Sequence, residues 1–202
     1  YDQLSPLGQR QSRRLGEWFR TRGMRFDAVL TGTLRRHAQS LAGIEEGLRA
    51  RCAPMALPGL NEYDGDAVVR AIHPQPIAAA AGAEQQRQHF RLLRQGLRQW
   101  MAGTTQPAGM PTHGEFVGGV VHALDHVRSH HAAGTVLLVS SGGPIATAIG
   151  HVLGLNAEAV IELNLHIRNS AVSEFEVGAQ RHSLITFNTL PHLDGDPASV
   201  TY

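Results

Sequence analysis

The sequence predicts an α/β fold, a three-layer α/β/α sandwich around a mainly parallel sheet. Short apolar segments that end at glycine, at residues 26–32 and 135–142, alternate with longer segments that carry amphipathic patterns. Such alternation is typical of parallel sheets whose strands are covered by helices on both faces. The chain has 202 residues, of which 42% are hydrophobic, and this is enough for one globular domain.

The first part of the chain begins with a helix signal. Ser5 is a favoured N-cap residue, Pro6 fits the first helical position, and Gly23 suits the end of a helix. We therefore predict a helix over residues 5–22. It is followed by a strand over 26–31, a helix over 34–50, an extended segment over 54–60, and a loop with a short helix over 61–71.

The later part contains the clearest strand. The run TVLLV at 135–139 is uninterrupted and apolar, as expected for a strand covered on both faces, and SSGGP at 140–144 turns it into a helix that ends near residue 153. The other predicted elements are an insertion loop over 73–82, helices over 83–101 and 113–130, a loop over 103–110, and strands over 171–177 and 183–188. We interpret residues 1–202 as a single domain with an insertion or cap region at about 61–112.

Composition excludes several classes of function. The net charge is +1 with histidines neutral, which points to neither nucleic acid nor a membrane surface as a partner. All 18 basic residues are arginines, so lysine Schiff bases and Walker-type phosphate sites are excluded. Any anion site must therefore use arginine, histidine or backbone amides. Cys52 is the single cysteine, which excludes an intrachain disulfide and a cysteine-rich zinc site.

Metal, cofactor and membrane signals are weak. His122 and His126 lie four residues apart, but no H-E-x-x-H pattern accompanies them, so we predict no metal site and no cofactor. No apolar run approaches the roughly 18 residues of a membrane span, and no signal-peptide pattern is present. We expect a cytoplasmic location. Because Tyr1 is not methionine, we also expect the chain to begin inside a longer protein.

Two junctions between a strand and a helix carry the candidate chemistry. They lie at residues 31–36 and 140–144. Ligands of open α/β sheets bind where the strands end, and helix N-termini offer free amides that suit phosphate. Arg36, one turn into its helix, would add a bidentate guanidinium. This pattern predicts an anion site, and the alternative is a surface arginine beside a tight glycine turn.

Five segments, in this order, resemble a known family. They are DQLSPLGQRQ at 2–11, similar to L-(S/T)-x-x-G-x-x-Q; LRRHAQS at 34–40, similar to S-P-L-x-R-A-x-Q-T; LNE at 60–62, similar to L-x-E; GE at 114–115; and VSSGG at 139–143, similar to V-S-H-G-G. The family is the histidine phosphatase, or phosphoglycerate-mutase-like, superfamily. The resemblance implies a phosphoglycerate-mutase-like fold and phosphoryl transfer through a phosphohistidine.

The resemblance also implies roles for individual residues. Arg36 matches a phosphate-binding arginine, and Ser141 and Gly142 lie in the turn that contacts phosphate. Glu115 matches the general acid that protonates the leaving oxygen. The alternative for Glu115 is a helix-terminal carboxylate that is stabilised by the helix dipole.

This chain departs from the family pattern in two places. The Arg-His-Gly segment that carries the nucleophilic histidine is absent, and we expect it upstream of Tyr1 together with the first strand. Ser141 stands where the family has a second histidine, and serine brings no positive charge. Arg35, Arg168 or one of the unmatched histidines is a candidate to compensate for that charge.

Three functions therefore remain open. The first is a phosphatase of the histidine acid-phosphatase type, which hydrolyses the phosphate monoester of a small substrate. The second is a catalytically impaired family member that binds a phosphorylated ligand or a protein. The third is phosphoryl transfer of the phosphoglycerate-mutase type. A serine hydrolase fits poorly because the turn lacks the G-x-S-x-G pattern.

Overall fold

The computed structural model describes residues 2–75, 83–196 and 199–201. In chain order its helices and strands are α1 (Pro6–Thr21), β1 (Ala28–Thr31), α2 (Arg35–Leu48), β2 (Pro54–Ala56), α3 (Gly65–Ile72), α4 (Ala83–Met101), α5 (His113–His130), β3 (Val136–Val139), α6 (Gly142–Leu153), α7 (Ala157–His166), β4 (Val172–Val177) and β5 (His182–Thr189). Short 3-10 turns lie at Pro58–Leu60 and Pro191–Leu193. None of the described helices is long and apolar enough to cross a membrane.

The α/β class is confirmed, and one helix is added to the predicted elements. Helix α7 has no counterpart in the sequence prediction, although Asn156 caps it by accepting a hydrogen bond from the amide of Ala159. The extended segment predicted over 54–60 is strand only at Pro54–Ala56. Of the insertion loop predicted over 73–82, residues 76–82 lie outside the described residues.

The main sheet is parallel and has the strand order β2-β1-β3. Thr31, at the end of β1, pairs with Ala56 on one side and with Val139 on the other. The carboxyl ends of the three strands therefore lie at one edge of the sheet. Strands β4 and β5 form a separate antiparallel pair.

Two apolar layers cover this sheet, as predicted from its uninterrupted apolar strands. On one face Val29 and Val139 pack with buried residues of α1 and α2, among them Phe19. On the other face Leu30 packs with Ala123 of α5. Because successive side chains of a strand point to opposite faces, Val29 and Leu30 serve different layers. The three-layer arrangement follows.

The region predicted as a cap, residues 61–112, contains α3 and α4. These helices pack together through Val68 and Trp100, in a cluster that also includes Phe116 of α5 and Ile161 of α7. The cluster ties the region to the helices that flank the site described below. The role of this region as a cap stays a prediction.

Helices α1 and α2 approach so closely that glycine is required at their crossing. A Cβ atom on Gly16 would lie 2.0 Å from the carbonyl oxygen of Ile44, and one on Gly47 would lie 2.0 Å from that of Arg13. Real Cβ atoms do not come this close to a backbone atom. The crossing holds α2, and with it the helix start that follows β1.

We predict that Gly16→Ala lowers the free energy of unfolding by about 1–3 kcal/mol or more, because the added methyl must push two backbones apart. Urea denaturation checks this change. The matched control is Gly118→Ala on α5, where nothing lies within 4 Å of the added atom; alanine there should stabilise the helix by about 1 kcal/mol. Equal stability of the two variants would contradict the close crossing.

Candidate functional site

Three segments meet where the parallel strands end. They are residues 32–36 after β1, residues 60–63 after β2, and residues 140–143 after β3. The paired ends of the strands place them together, since the amide of Gly32 donates to the carbonyl of Val139 at 3.1 Å. The two junctions singled out from the sequence therefore lie side by side, at the edge where open α/β sheets bind ligands.

Side chains connect the three segments. Asn61 accepts from the amide of Thr33 and donates to its hydroxyl, both at 2.7 Å. The hydroxyl of Ser140 donates to the carbonyl of Leu60 at 2.8 Å. These bonds hold the middle segment against both outer ones and fix the position of the residue that follows, Glu62.

The start of α2 is held by a carboxylate. Asp2 accepts from the amides of Arg35 and Arg36, at 2.9 and 3.2 Å, and also pairs with the Arg36 guanidinium at 3.1 Å. These bonds, with that from Arg35 the largest cause, lower the pKa of Asp2. A carboxylate is favourable at this helix end. The Arg36 side chain, 20% exposed, is thereby fixed at the edge of the site.

Glu62 faces the start of α6. Its two carboxylate oxygens accept from the amide of Gly143 at 3.1 and 3.0 Å, and the amide of Tyr63 adds a third bond. Burial raises the pKa of Glu62, against the opposing effects of these amides and of the Arg36 charge. Gly143 is required here, because a Cβ atom would lie 2.1 Å from a Glu62 oxygen. Glu62 therefore keeps its proton to higher pH than an ordinary glutamate.

Ser141 is bound to a histidine of the neighbouring helix. The Nε2 atom of His37 lies 2.6 Å from the Ser141 hydroxyl oxygen. His37 is 2% exposed, and burial, followed by the Arg36 charge, lowers its pKa to about 4. The imidazole is thus neutral at physiological pH. Ser141 is the N-cap residue of α6, but its side chain makes no capping hydrogen bond.

Glu115 lies in a different setting. It forms a capping box at the start of α5: its carboxylate accepts from the amide and hydroxyl of Thr112, both at 2.8 Å, and its own amide donates to the Thr112 hydroxyl. The Thr112 bonds lower the pKa of the exposed Glu115 carboxyl. Glu115 therefore resembles the helix-terminal alternative considered for it, and its role as general acid stays a prediction.

The structure brings Arg36, Ser141 and Gly142 to one edge and adds two residues to them. Glu62 was visible in the L-x-E segment, and its position in the turn region that follows β2 was the signal for a site role. His37 lies within the LRRHAQS segment, but nothing in that segment marked it as a site residue. A burial this complete has no signal in the local sequence, because the residues that enclose His37 come from other elements.

Beside Gly143 lies a small cavity with aromatic and aliphatic walls. Tyr63, Trp100, His113 and Phe116 line it, together with Asn164 of α7. Asn164 donates to the Tyr63 hydroxyl at 2.6 Å. Among residues 2–75, 83–196 and 199–201, no group of three or more histidine, cysteine, aspartate or glutamate side chains is arranged to hold a metal ion.

Comparison with known proteins agrees with this geometry. The model of the histidine phosphatase superfamily, branch 1, matches residues 3–190. The chain belongs to this superfamily. Its members transfer phosphoryl groups as phosphatases or mutases, and the histidine phosphatase architecture predicted from the five segments is confirmed. No curated protein sequence matches the chain.

Solved structures of this superfamily share the fold. The alpha-ribazole phosphatase from Shigella flexneri is 17% identical with a TM-score of 0.64, over 93% of this chain and 84% of that one. A phosphoserine phosphatase from Entamoeba histolytica, in complex with 3-phosphoglyceric acid, is 17% identical with a TM-score of 0.60, over 95% and 86%. The phosphoglycerate mutase from Bacillus anthracis is 14% identical with a TM-score of 0.63, over 95% and 84%. At these identities the likeness establishes the fold.

Because His37 is buried, we expect the folding stability of this protein to fall at acid pH. The pKa of His37 is about 4 when folded, against an ordinary value of 6.5, so between these values the unfolded chain binds more protons. The stability that depends on His37 is fully present above pH 6.5 and is lost as the pH falls toward 4. We predict that His37→Gln loses less unfolding free energy than the wild type between pH 7 and pH 5. Urea denaturation at both pH values measures the difference, and equal losses would contradict a buried neutral imidazole.

Proposed function

We propose that this protein is a phosphatase that hydrolyses a phosphate monoester of a small substrate through a phosphohistidine. The observation that carries the proposal is the meeting of Arg36, the start of α6 and a proton-retaining Glu62 at one sheet edge. Arg36, the Ser141 hydroxyl and the Gly142 amide at the start of α6 would bind the phosphoryl oxygens. In such transfers, positioned charges do most of the catalytic work.

Glu62 is the general acid in this proposal. The attacking histidine nitrogen forms a bond to phosphorus while the bond from phosphorus to the ester oxygen breaks, and Glu62 gives its proton to that oxygen. Water then cleaves the phosphohistidine and releases inorganic phosphate. An acid must hold its proton near neutral pH, and the raised pKa of Glu62 favours it over Glu115, whose pKa is lowered.

We propose that the nucleophilic histidine comes from residues N-terminal to Tyr1, on a strand that pairs with β3. The packing of β3 and β4 supports this. Strand β3 has apolar cover on both faces, and among the described residues it pairs with β1 alone. Val172 and Val177 of β4 pack on the same two clusters, so that a strand between β3 and β4 would join the two ladders.

The non-phosphate part of the substrate would lie toward the cap region at 61–112. The support for this is the cavity beside Gly143, whose walls include Tyr63 and Trp100 from that region. Aromatic walls suit an apolar or planar group more than a charged one. The Tyr63 hydroxyl and Asn164 add polar contacts at the same wall.

We predict that Glu62→Gln in the full-length protein lowers kcat by about 10²–10⁴-fold for an alkyl phosphate such as phosphoserine. The loss should be much smaller for p-nitrophenyl phosphate, because that leaving group needs no proton. Wild-type kcat for the alkyl ester should fall as pH rises through the raised pKa of Glu62. Steady-state kinetics with both esters measure these effects.

The matched control is Glu115→Gln, which makes the same substitution in the exposed capping box. We expect it to leave the ratio between the two esters unchanged. If Glu115→Gln shows the leaving-group effect and Glu62→Gln does not, the general acid is Glu115. If Arg36→Ala leaves hydrolysis unchanged, the phosphate site itself is wrong. If the full-length wild type hydrolyses neither ester, a binding function takes the place of the phosphatase.

A further inference from the structure

The pair formed by His37 and Ser141 joins two helix starts across the site. His37 lies in the first turn of α2 and Ser141 begins α6, 104 residues later, yet their polar atoms are 2.6 Å apart. His37 is among the few buried polar residues of the described chain. Burying a polar side chain is costly unless it is hydrogen-bonded, and the bond of His37 goes to a residue at the site. The bond therefore points to a role for His37 at the site.

The proton on His37 is placed by its surroundings. Its Nδ1 atom is buried and has no hydrogen-bond partner among the described residues, and it faces Gly32, where even a Cβ atom would lie 2.2 Å away. A neutral imidazole carries one proton. Buried N–H groups without an acceptor are rarer than buried acceptors without a donor. The proton therefore lies on Nε2, and His37 donates to the Ser141 oxygen.

This direction of bonding leaves the Ser141 hydroxyl hydrogen free to donate elsewhere. A hydroxyl offers one donor and two acceptor positions, and His37 takes an acceptor position. The hydroxyl does not cap α6, and Ser141 is partly exposed. Beside it lies the Gly142 amide at the start of α6, and the charge of Arg36 reaches both His37 and Glu62. The free hydrogen is available to an anion at this edge.

We propose that His37 is a positioning residue that orients Ser141 as a hydrogen-bond donor to a phosphoryl oxygen. The proposal rests on the proposed phosphate site and deepens it. The relay runs from His37 Nε2–H to the Ser141 oxygen, and from the Ser141 hydroxyl to phosphate. An imidazole thereby supports phosphate binding from a buried position, without contacting the phosphate and without a positive charge.

The opposite reading makes Ser141 a nucleophile with His37 as its base. That reading requires Nε2 to accept the hydroxyl proton and Nδ1 to carry a buried hydrogen without an acceptor. No carboxylate is bonded to Nδ1 to orient the ring, as a base in such a pair requires; this holds for all described residues. The structure favours the donor reading, and the experiment separates the two.

The test is a double-mutant cycle in the full-length protein, with inorganic phosphate binding measured by calorimetry. We expect Ser141→Ala and His37→Leu each to weaken binding about tenfold, the size of one hydrogen bond to a charged group. The double variant should be no weaker than either one. His37→Gln places an amide donor where Nε2 lies and should bind within about threefold of the wild type. Additive losses in the double variant would overturn the relay.

One further variant and a pH series guard against a merely structural effect. His37→Asn keeps an amide, but its side chain is too short to reach Ser141, so it should weaken phosphate binding as much as His37→Leu does. It takes the place of His37→Leu if that variant is too unstable to purify. Between pH 6 and 8 the phosphate affinity should change with pH in the same way in the wild type and in His37→Gln, because the imidazole is neutral throughout this range. A loss of affinity with rising pH that occurs only in the wild type is not expected. Such a loss would mean that a charged imidazole binds phosphate directly, and it would overturn the relay.

The outcomes separate this proposal from the proposed function. If Arg36→Ala has no effect on phosphate binding, the proposed phosphate site is wrong. If Arg36→Ala has a large effect but the losses in the His37 and Ser141 variants are additive, only the relay is wrong. Diisopropyl fluorophosphate followed by peptide mass spectrometry tests the serine nucleophile. Labelling at Ser141 would overturn the donor reading, and an unlabelled Ser141 supports it.

Discussion

The position of β1 between β2 and β3 is the constraint on which the site depends. Three parallel strands in register end at the same edge, because Thr31 faces Ala56 on one side and Val139 on the other. Parallel strands always bring their carboxyl ends together, and a ligand site at this edge needs only suitable residues in the turns. A slip of one residue would move Val29 from one apolar layer to the other. The two apolar layers set the register of the strands, and this register sets the positions of the site residues.

Within that frame, burial decides what each ionisable group can do. Glu62 and Glu115 both accept hydrogen bonds from backbone amides, yet the pKa is raised in the first and lowered in the second. The capping carboxylate is exposed, so the hydrogen bonds prevail. At Glu62 desolvation prevails over two amides and a nearby guanidinium. Burial likewise makes His37 neutral beside the Arg36 guanidinium, so that a cation, a carboxyl group with a raised pKa and a neutral imidazole lie at one edge of the sheet.

Much of the architecture could be predicted from periodicity and end signals. Ser5 accepts from the amide of Gly8 and Pro6 begins α1, and the apolar runs at β1 and β3 are strands covered on both faces. Helix α7 was missed because it is short and its single buried residue is Ile161, so that it lacks the repeated apolar stripe on which such predictions depend. Arg36, Ser141 and Gly142 were predicted as phosphate contacts and the structure places them together; their roles in binding remain proposals.

By itself the sequence determined the order of the strands and of the helices other than α7, the two junctions that end strands with glycine, and the membership of the superfamily, because these depend on residues close together in the chain. Only the tertiary structure decided which carboxylate keeps its proton and where the neutral imidazole acts. Glu62 meets Gly143 across 81 residues, and His37 meets Ser141 across 104. The pKa of a group depends on what surrounds it in space, and no local pattern records neighbours that distant.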